Sequence, residues 1–164
     1  MKRPASSVGR RASGSDDVLR LWLRLLSATN LIEGRVRSRL RRDFATTLPR
    51  FDVLAQLDQT ERGMTMSELS RRLMVSNGNV TGLTERLVRE RLVSRTPSPT
   101  DRRTQLVRIT PAGRRALRTM TPGHRAWIDD MFAGLSATDR AHLATLVAKL
   151  KRSVEASVVH EAAS

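Results

Sequence analysis

Two polar stretches carry the side chains best suited to chemistry. Residues 76–89, SNGNVTGLTERLVR, set Ser76, Asn77, Asn79, Thr81, Thr84, Arg86 and Arg89 among apolar residues at helical spacing. Residues 97–104, PSPTDRRT, end in Asp101, Arg102, Arg103 and Thr104. Asparagine can pair bidentately with adenine, and threonine can meet a thymine methyl. Guanidinium groups suit phosphate oxygens and narrow, negative minor grooves. The implied chemistry is recognition of a polyanion. Asn77 and Gly78 read equally well as plain turn residues. Asn79, Thr81 and Thr84 are the better candidates for a groove-facing side, while Arg86 and Arg89 would reach phosphates. Asp101 would hold an arginine by a charge-assisted hydrogen bond.

The surrounding residues must position these groups. Residues 67–74 read as a short helix with Leu69 and Leu73 on one face, opened by a Thr65/Glu68 capping box. A turn at Val75–Ser76 follows, with Ser76 as the next N-cap. A second helix over residues 77–91 has Val80, Leu83, Leu87 and Val88 at a 3.6-residue period. Two β-branched runs, residues 92–96 and 106–110, flank the charged tip. Helix, turn, helix and charged hairpin make a winged helix-turn-helix pattern, in which the second helix enters a DNA major groove. The expected fold class is mainly α with a small β-hairpin wing: a winged helix-turn-helix domain plus a helical dimerisation region.

The segment resembles the DNA-binding core of the MarR family of bacterial transcription regulators. The family wing pattern falls on Asp101, Arg103, Ile109, Thr110 and Gly113, which places Arg103 ahead of Arg102 as a minor-groove residue. LPRFDVLAQL, residues 48–57, and the long flanking helices match the family layout, and the likeness covers residues 17–155. It implies a homodimer with intertwined first and last helices, a pseudo-palindromic double-stranded DNA operator, and repression relieved by a small aromatic ligand. LPRFDVLAQL and LSRRLMVSNGNVTGL resemble more particularly a subgroup governing aromatic-acid breakdown, which answers to coenzyme A thioesters of aromatic acids. That likeness suggests a ligand site drawn from Arg35, Arg37, Arg39, Arg42, Phe44, Phe51, His124 and Trp127. It implies no cofactor.

The flanks divide accordingly. Residues 1–15 are basic and Ser/Gly-rich, the composition of a disordered arm, either an aid to DNA binding or a plain flexible terminus. Residues 16–46 form an N-terminal dimerisation helix, amphipathic over 16–44, with Asp16 and Asp17 in its first turn. Its second half carries Arg35, Arg37, Arg39, Arg41 and Arg42, which suit DNA phosphates, an anionic effector or a solvated face. Residues 47–112 form the winged unit, beginning with a Thr47-Leu48-Pro49 helix start. Residues 113–158 hold C-terminal dimerisation helices, kinked or split near Pro122, with a Ser136/Asp139 capping box before the last. Residues 159–164 form a fraying tail. Phe51, His124 and Trp127 also suit the core or the dimer.

Composition sets the outer limits. The 164 residues suggest one domain, with 39% hydrophobic but only 3% aromatic residues, so added burial through dimerisation is expected. The net charge of +14 favours a polyanionic partner, although Arg-rich codon usage and a solvated surface would also raise it. Without cysteine there is no disulfide, thiol sensor or thiolate zinc site. No apolar run nears the roughly 18–20 residues that span a membrane, and no export signal is evident, so a cytoplasmic location without membrane contact is expected. His124, His142 and His160 are scattered, with no metalloprotease, phosphate-loop, nucleophile-elbow or dinucleotide motif, so an enzyme is not expected. The competing function is an architectural, low-specificity DNA-binding protein, or an anti-repressor, without a small effector.

Overall fold

A computed structural model describes the backbone of residues 9–99, 101 and 103–161, and the side chains of residues 16–99, 101 and 103–157. In chain order the elements are α1 (Gly9–Phe44), α2 (Leu48–Asp58), β1 (Met64–Thr65), α3 (Met66–Leu73), α4 (Asn77–Arg89), β2 (Val93–Pro97), β3 (Gln105–Ile109), α5 (Pro111–Met131) and α6 (Ala137–Glu161). The fold is mostly helical with a three-stranded antiparallel wing sheet, in the order β1-β3-β2. Two compact units divide after His124.

In the first unit the core gathers around α2. Phe51, Val53, Leu54 and Leu57 are buried there, with Leu69 of α3, Val80 and Leu87 of α4, and Val93, Val107 and Ile109 of the sheet. Val36 and Leu40 are buried in the second half of α1, which packs on α2. Alternation along β3 puts Val107 and Ile109 inward, as a half-buried strand requires. Val93 pairs with Ile109 and Arg95 with Val107, while Met64 pairs with Val107 across the other edge of β3. The β1 pairing was not expected from sequence, because two residues are too short to show alternation.

Gly63 and Gly113 allow two close approaches. Gly63 has φ +79°, and a Cβ there would lie 2.6 Å from the Val107 carbonyl oxygen. A Cβ on Gly113 would lie 2.1 Å from the Leu92 carbonyl oxygen. The start of α5 therefore sits directly on the chain leaving α4. Thr110 locks this junction. Its hydroxyl donates to the Arg91 carbonyl (2.7 Å) and accepts from the Gly113 N–H (3.0 Å), and its own N–H donates to the Leu92 carbonyl (3.0 Å). The Gly113 N–H bond to Thr110 Oγ1 is the expected N-cap, and Pro111 opens the helix as expected.

In the second unit, Trp127, Ile128 and Met131 on α5, and Phe132 just after it, are half-buried. The Ser136/Asp139 capping box is formed: Asp139 N–H donates to Ser136 Oγ (3.1 Å) and Ser136 N–H to Asp139 Oδ2 (3.0 Å). Along α6, Leu143, Leu146, Val147, Leu150 and Val154 remain exposed in the single chain.

Three expectations about helix extent are corrected. Helix α1 begins at Gly9, so residues 9–15 are helical, and Asp16 and Asp17 lie beyond the first turn. Once a long helix is nucleated, each added residue gains a hydrogen bond at little cost, and Arg10, Arg11 and Ala12 are good helix formers. Helix α5 runs through Pro122, so of the expected kink or split the split does not occur. Pro122 and Arg118 are exposed, so water can reach the carbonyl that loses its partner. Helix α6 continues to Glu161, so residues 159–161 are not a frayed tail. The remainder of the expected arm, residues 1–8, and of the tail, residues 162–164, lie outside the described residues.

Candidate nucleic-acid interface

The helix-turn-helix is built from both of its caps. Glu68 N–H donates to Thr65 Oγ1 (3.1 Å), and Thr65 N–H donates back to Glu68 Oε2 (2.8 Å). This reciprocal box holds the Glu68 carboxyl below its ordinary range, chiefly through the Thr65 backbone N–H. Met74 closes α3 in the left-handed region, and the chain turns into Ser76, whose Oγ accepts from Asn79 N–H (3.4 Å). Two orphan donors at successive helix starts are satisfied by side chains, so the turn is specified locally.

Helix α4 has two sharply different faces. Val80, Thr84 and Leu87 are buried against the core at steps of four and three. On the other side Asn79, Gly82, Glu85, Arg86 and Arg89 are exposed. Ser76 and Asn77 are exposed at the helix start, and Thr81 is half-buried at the flank, its hydroxyl donating to the Asn77 carbonyl (2.8 Å). Thr84 therefore cannot face a groove, contrary to expectation: it is fully buried, and its hydroxyl has no hydrogen-bond partner. Its place one turn from Val80 outweighs its polarity. Glu85 was missed by sequence reasoning, although the step Gly78, Gly82, Glu85, Arg89 marks the exposed stripe. A carboxylate there can accept from a cytosine amino group.

The wing tip is organised by Asp101. Its carboxylate accepts from the Arg103 backbone N–H (2.9 Å) and the Thr104 hydroxyl (2.8 Å). These two bonds, the backbone one first, hold the Asp101 carboxyl below its ordinary range. Among the described residues, the arginine that Asp101 holds is Arg103, through its main-chain N–H. The short tip brings the backbone donor within reach and leaves the Arg103 guanidinium projecting. Among the described residues it enters no ion pair, and the residue is exposed. Arg102 lies outside the described residues. Thr104 closes the tip further, its carbonyl accepting from Ser98 N–H (2.8 Å).

Of the residues suggested by likeness as a ligand site, the structure brings Phe51 and His124 together. Phe51 is buried and stacks on His124 with ring centroids 4.6 Å apart, and burial lowers the His124 pKa, favouring its neutral form. Trp127 belongs to the second unit, and Phe44 is half-buried at the end of α1. At 100° per residue, the arginines fan around the side of α1 away from Val36 and Leu40. Arg37, Arg41 and Arg42 line an open groove with Gly34 and Ser38, of which Arg35 and Arg39 are not part. Arg37 pairs with Glu33 at 2.6 Å and Arg42 with Asp43 at 2.5 Å.

A capped recognition helix with an exposed polar face, followed by a three-stranded wing with a cationic tip, defines a winged helix-turn-helix DNA-binding unit. The model of the MarR family matches residues 46–104. The chain is 32% identical over 126 residues to the transcriptional activatory protein BadR of Rhodopseudomonas palustris, covering 75% of this chain and 71% of that one. It belongs to the MarR family of DNA-binding transcription regulators, which are not enzymes. Its fold is similar to that of Sco3205, a MarR family regulator from Streptomyces coelicolor solved in complex with DNA (TM-score 0.76, 21% identity, 93% of this chain and 91% of that chain). It is also similar to Bordetella bronchiseptica BpsR, whose DNA binding is regulated by 6-hydroxynicotinic acid (TM-score 0.69, 24% identity, 77% of this chain and 89% of that chain). Among the described residues no helix is long and apolar enough to cross a membrane, and no group of three or more His, Cys, Asp or Glu residues could hold a metal ion.

Proposed function

We propose that the protein is a homodimeric, sequence-specific repressor whose hold on a pseudo-palindromic operator is loosened by a small aromatic acid or its coenzyme A thioester. The observation that carries the DNA reading is the uncovered face of α4, where Asn79, Glu85, Arg86 and Arg89 stand opposite a buried Val80–Thr84–Leu87 stripe. In a dimer two such helices would enter successive major grooves about one helical turn apart. Ser76, Asn77, Asn79 and Thr81 would face base edges, and Arg86 and Arg89 phosphates. The wing, with Arg103 projecting and Asp101 and Thr104 bracing it, would reach the flanking minor groove.

Dimerisation is favoured by apolar surface. Val18, Leu19, Leu21, Trp22, Leu23 and Leu26 are all exposed on α1, and Trp22 keeps 55% of its surface free. Such a helix is apolar over too wide an arc for solvent. A second copy of the chain is the occupant we assign to it, with α6 supplying a further apolar stripe.

An aromatic effector is favoured by the fold shared with BpsR, whose DNA binding answers to a hydroxylated aromatic acid. The thioester is favoured by the arginines on α1, which would suit a ligand bearing several phosphates. Such a ligand acts only by binding the DNA-incompetent arrangement more tightly than the competent one. Calorimetry with benzoate-type acids and their thioesters, paired with anisotropy on operator DNA, tests this. Thioester binding that releases DNA supports it, and tight binding of the free acid alone removes the coenzyme A part.

Activation is a second reading, favoured by the name of the Rhodopseudomonas palustris relative. A promoter fusion in a strain lacking the gene separates the two, since expression rises on loss of a repressor and falls on loss of an activator.

A further inference from the structure

Met74 sits in the left-handed region at φ 53°, a conformation that disfavours a side chain and usually falls to glycine or asparagine. It is also 86% exposed, more than any other large hydrophobic among the described residues. Scattered exposed apolar residues are ordinary. Here, however, an unfavourable backbone conformation and an unfavourable exposure coincide at one position, and glycine would remove both.

The position is not arbitrary. Met74 lies two residues before the Ser76 cap, at the leading end of α4. Val75, also exposed, lines one cleft with Gly78, Asn79, Gly82 and Arg86, so the turn is continuous with the recognition face. The turn is held from behind: Ser70 Oγ donates to the Val75 carbonyl (2.5 Å), and Val75 N–H donates to the Ser70 carbonyl (3.2 Å). Arg71 and Arg72 are exposed just before it, so the apolar tip is flanked by charge that suits a polyanion. The methionine side chain is flexible and polarisable and adapts to irregular apolar surfaces. In the major groove the apolar feature is the C5 methyl of thymine.

We propose that Met74 is a sequence-reading residue whose thioether side chain packs against thymine methyl groups at the edge of each operator half-site. The proposal rests on the DNA-binding reading above, and it makes the turn, as well as the helix, a determinant of sequence preference.

A double-mutant cycle between protein and DNA tests it, using a site that the protein selects from random duplex DNA. Wild type and Met74→Gly are each titrated against that site and against the same site with half-site thymines replaced by deoxyuridine. Wild type should lose about fourfold in affinity for each contacted methyl removed. Met74→Gly should bind the unsubstituted site weaker by a similar factor and be indifferent to the methyl groups. It should melt no lower than wild type, because strain is relieved, and Met74→Leu should restore the preference. Equal losses in both proteins on methyl removal, or unchanged affinity in Met74→Gly, would overturn the role. A wild type that prefers the site but shows no coupling sinks the Met74 proposal alone. A wild type that does not distinguish the site from scrambled DNA overturns the functional reading with it.

Discussion

Arg50 on α2 and Glu90, the residue that ends the recognition helix, grip each other through a two-pronged ion pair. Arg50 Nη1 donates to Glu90 Oε1 at 2.7 Å, and Nη2 donates to Oε2. The pair ties the C-terminal end of α4 to the helix that carries the Phe51–His124 stack. Arg50 holds the Glu90 carboxyl below its ordinary 4.5, first by hydrogen bonding and then by charge. A carboxyl with a depressed folded pKa contributes stability above its unfolded pKa and loses it as pH falls through the folded value. Glu90 is partly exposed, so screening limits the gain. Glu90→Gln should cost about 0.5–1 kcal/mol at pH 7. The difference from wild type should shrink below about pH 4, which urea titrations across pH would detect.

Thr84 and its missing partner predict the opposite sign. The hydroxyl is fully buried without a hydrogen bond. Valine is nearly isosteric, so Thr84→Val should stabilise the fold by about 1 kcal/mol. Operator affinity should not change, since the side chain faces the core. A fall in affinity with an intact fold would return Thr84 to the interface.

Gly113 is the tightest approach at the junction of wing and α5. Gly113→Ala would push a methyl group to within 2.1 Å of the Leu92 carbonyl oxygen, where the neighbour is backbone. It should destabilise by about 2 kcal/mol or more, read as a lowered denaturant midpoint. At Gly78, where nothing lies within 4 Å, the same substitution should leave stability unchanged or slightly raised.

Among the described residues, Asp52 is the carboxyl with a strongly raised pKa, about 6, caused first by burial and then by Glu33, with Arg37 opposing. The native state holds a proton that the unfolded chain releases, so this residue's contribution to stability falls as pH rises from about 4 to 6. Asp52→Asn should therefore be more stable than wild type at pH 8, by about 1 kcal/mol after allowance for partial exposure. It should match wild type near pH 4. Melting curves at the two pH values check this.

How much of this was legible in the sequence depended on distance along the chain. The Thr65/Glu68 and Ser136/Asp139 boxes span three residues each, and both formed as their spacing implied. The apolar period of α4 was visible, but it put Leu83 on the inner face, whereas Thr84 is the residue that completes the Val80–Leu87 stripe. A polar type misled where helical geometry decided. Asp101 was recognised as an organiser of the wing. That it would use the Arg103 backbone N–H and the Thr104 hydroxyl could not be foreseen, because sequence patterns rank side chains above main-chain donors. The Arg50–Glu90 pair and the β1 edge join residues about forty apart, which only the tertiary fold brings together.

The most direct test is fluorescence anisotropy on DNA from upstream of the gene against scrambled duplex, over a salt series, for wild type and Arg103→Ala. Wild type should prefer the upstream DNA and weaken steeply with salt as counterions are released. Arg103→Ala should fold normally, bind more weakly and lose about one unit of salt slope. Equal wild-type affinity for both duplexes would contradict sequence-specific recognition and favour an architectural role.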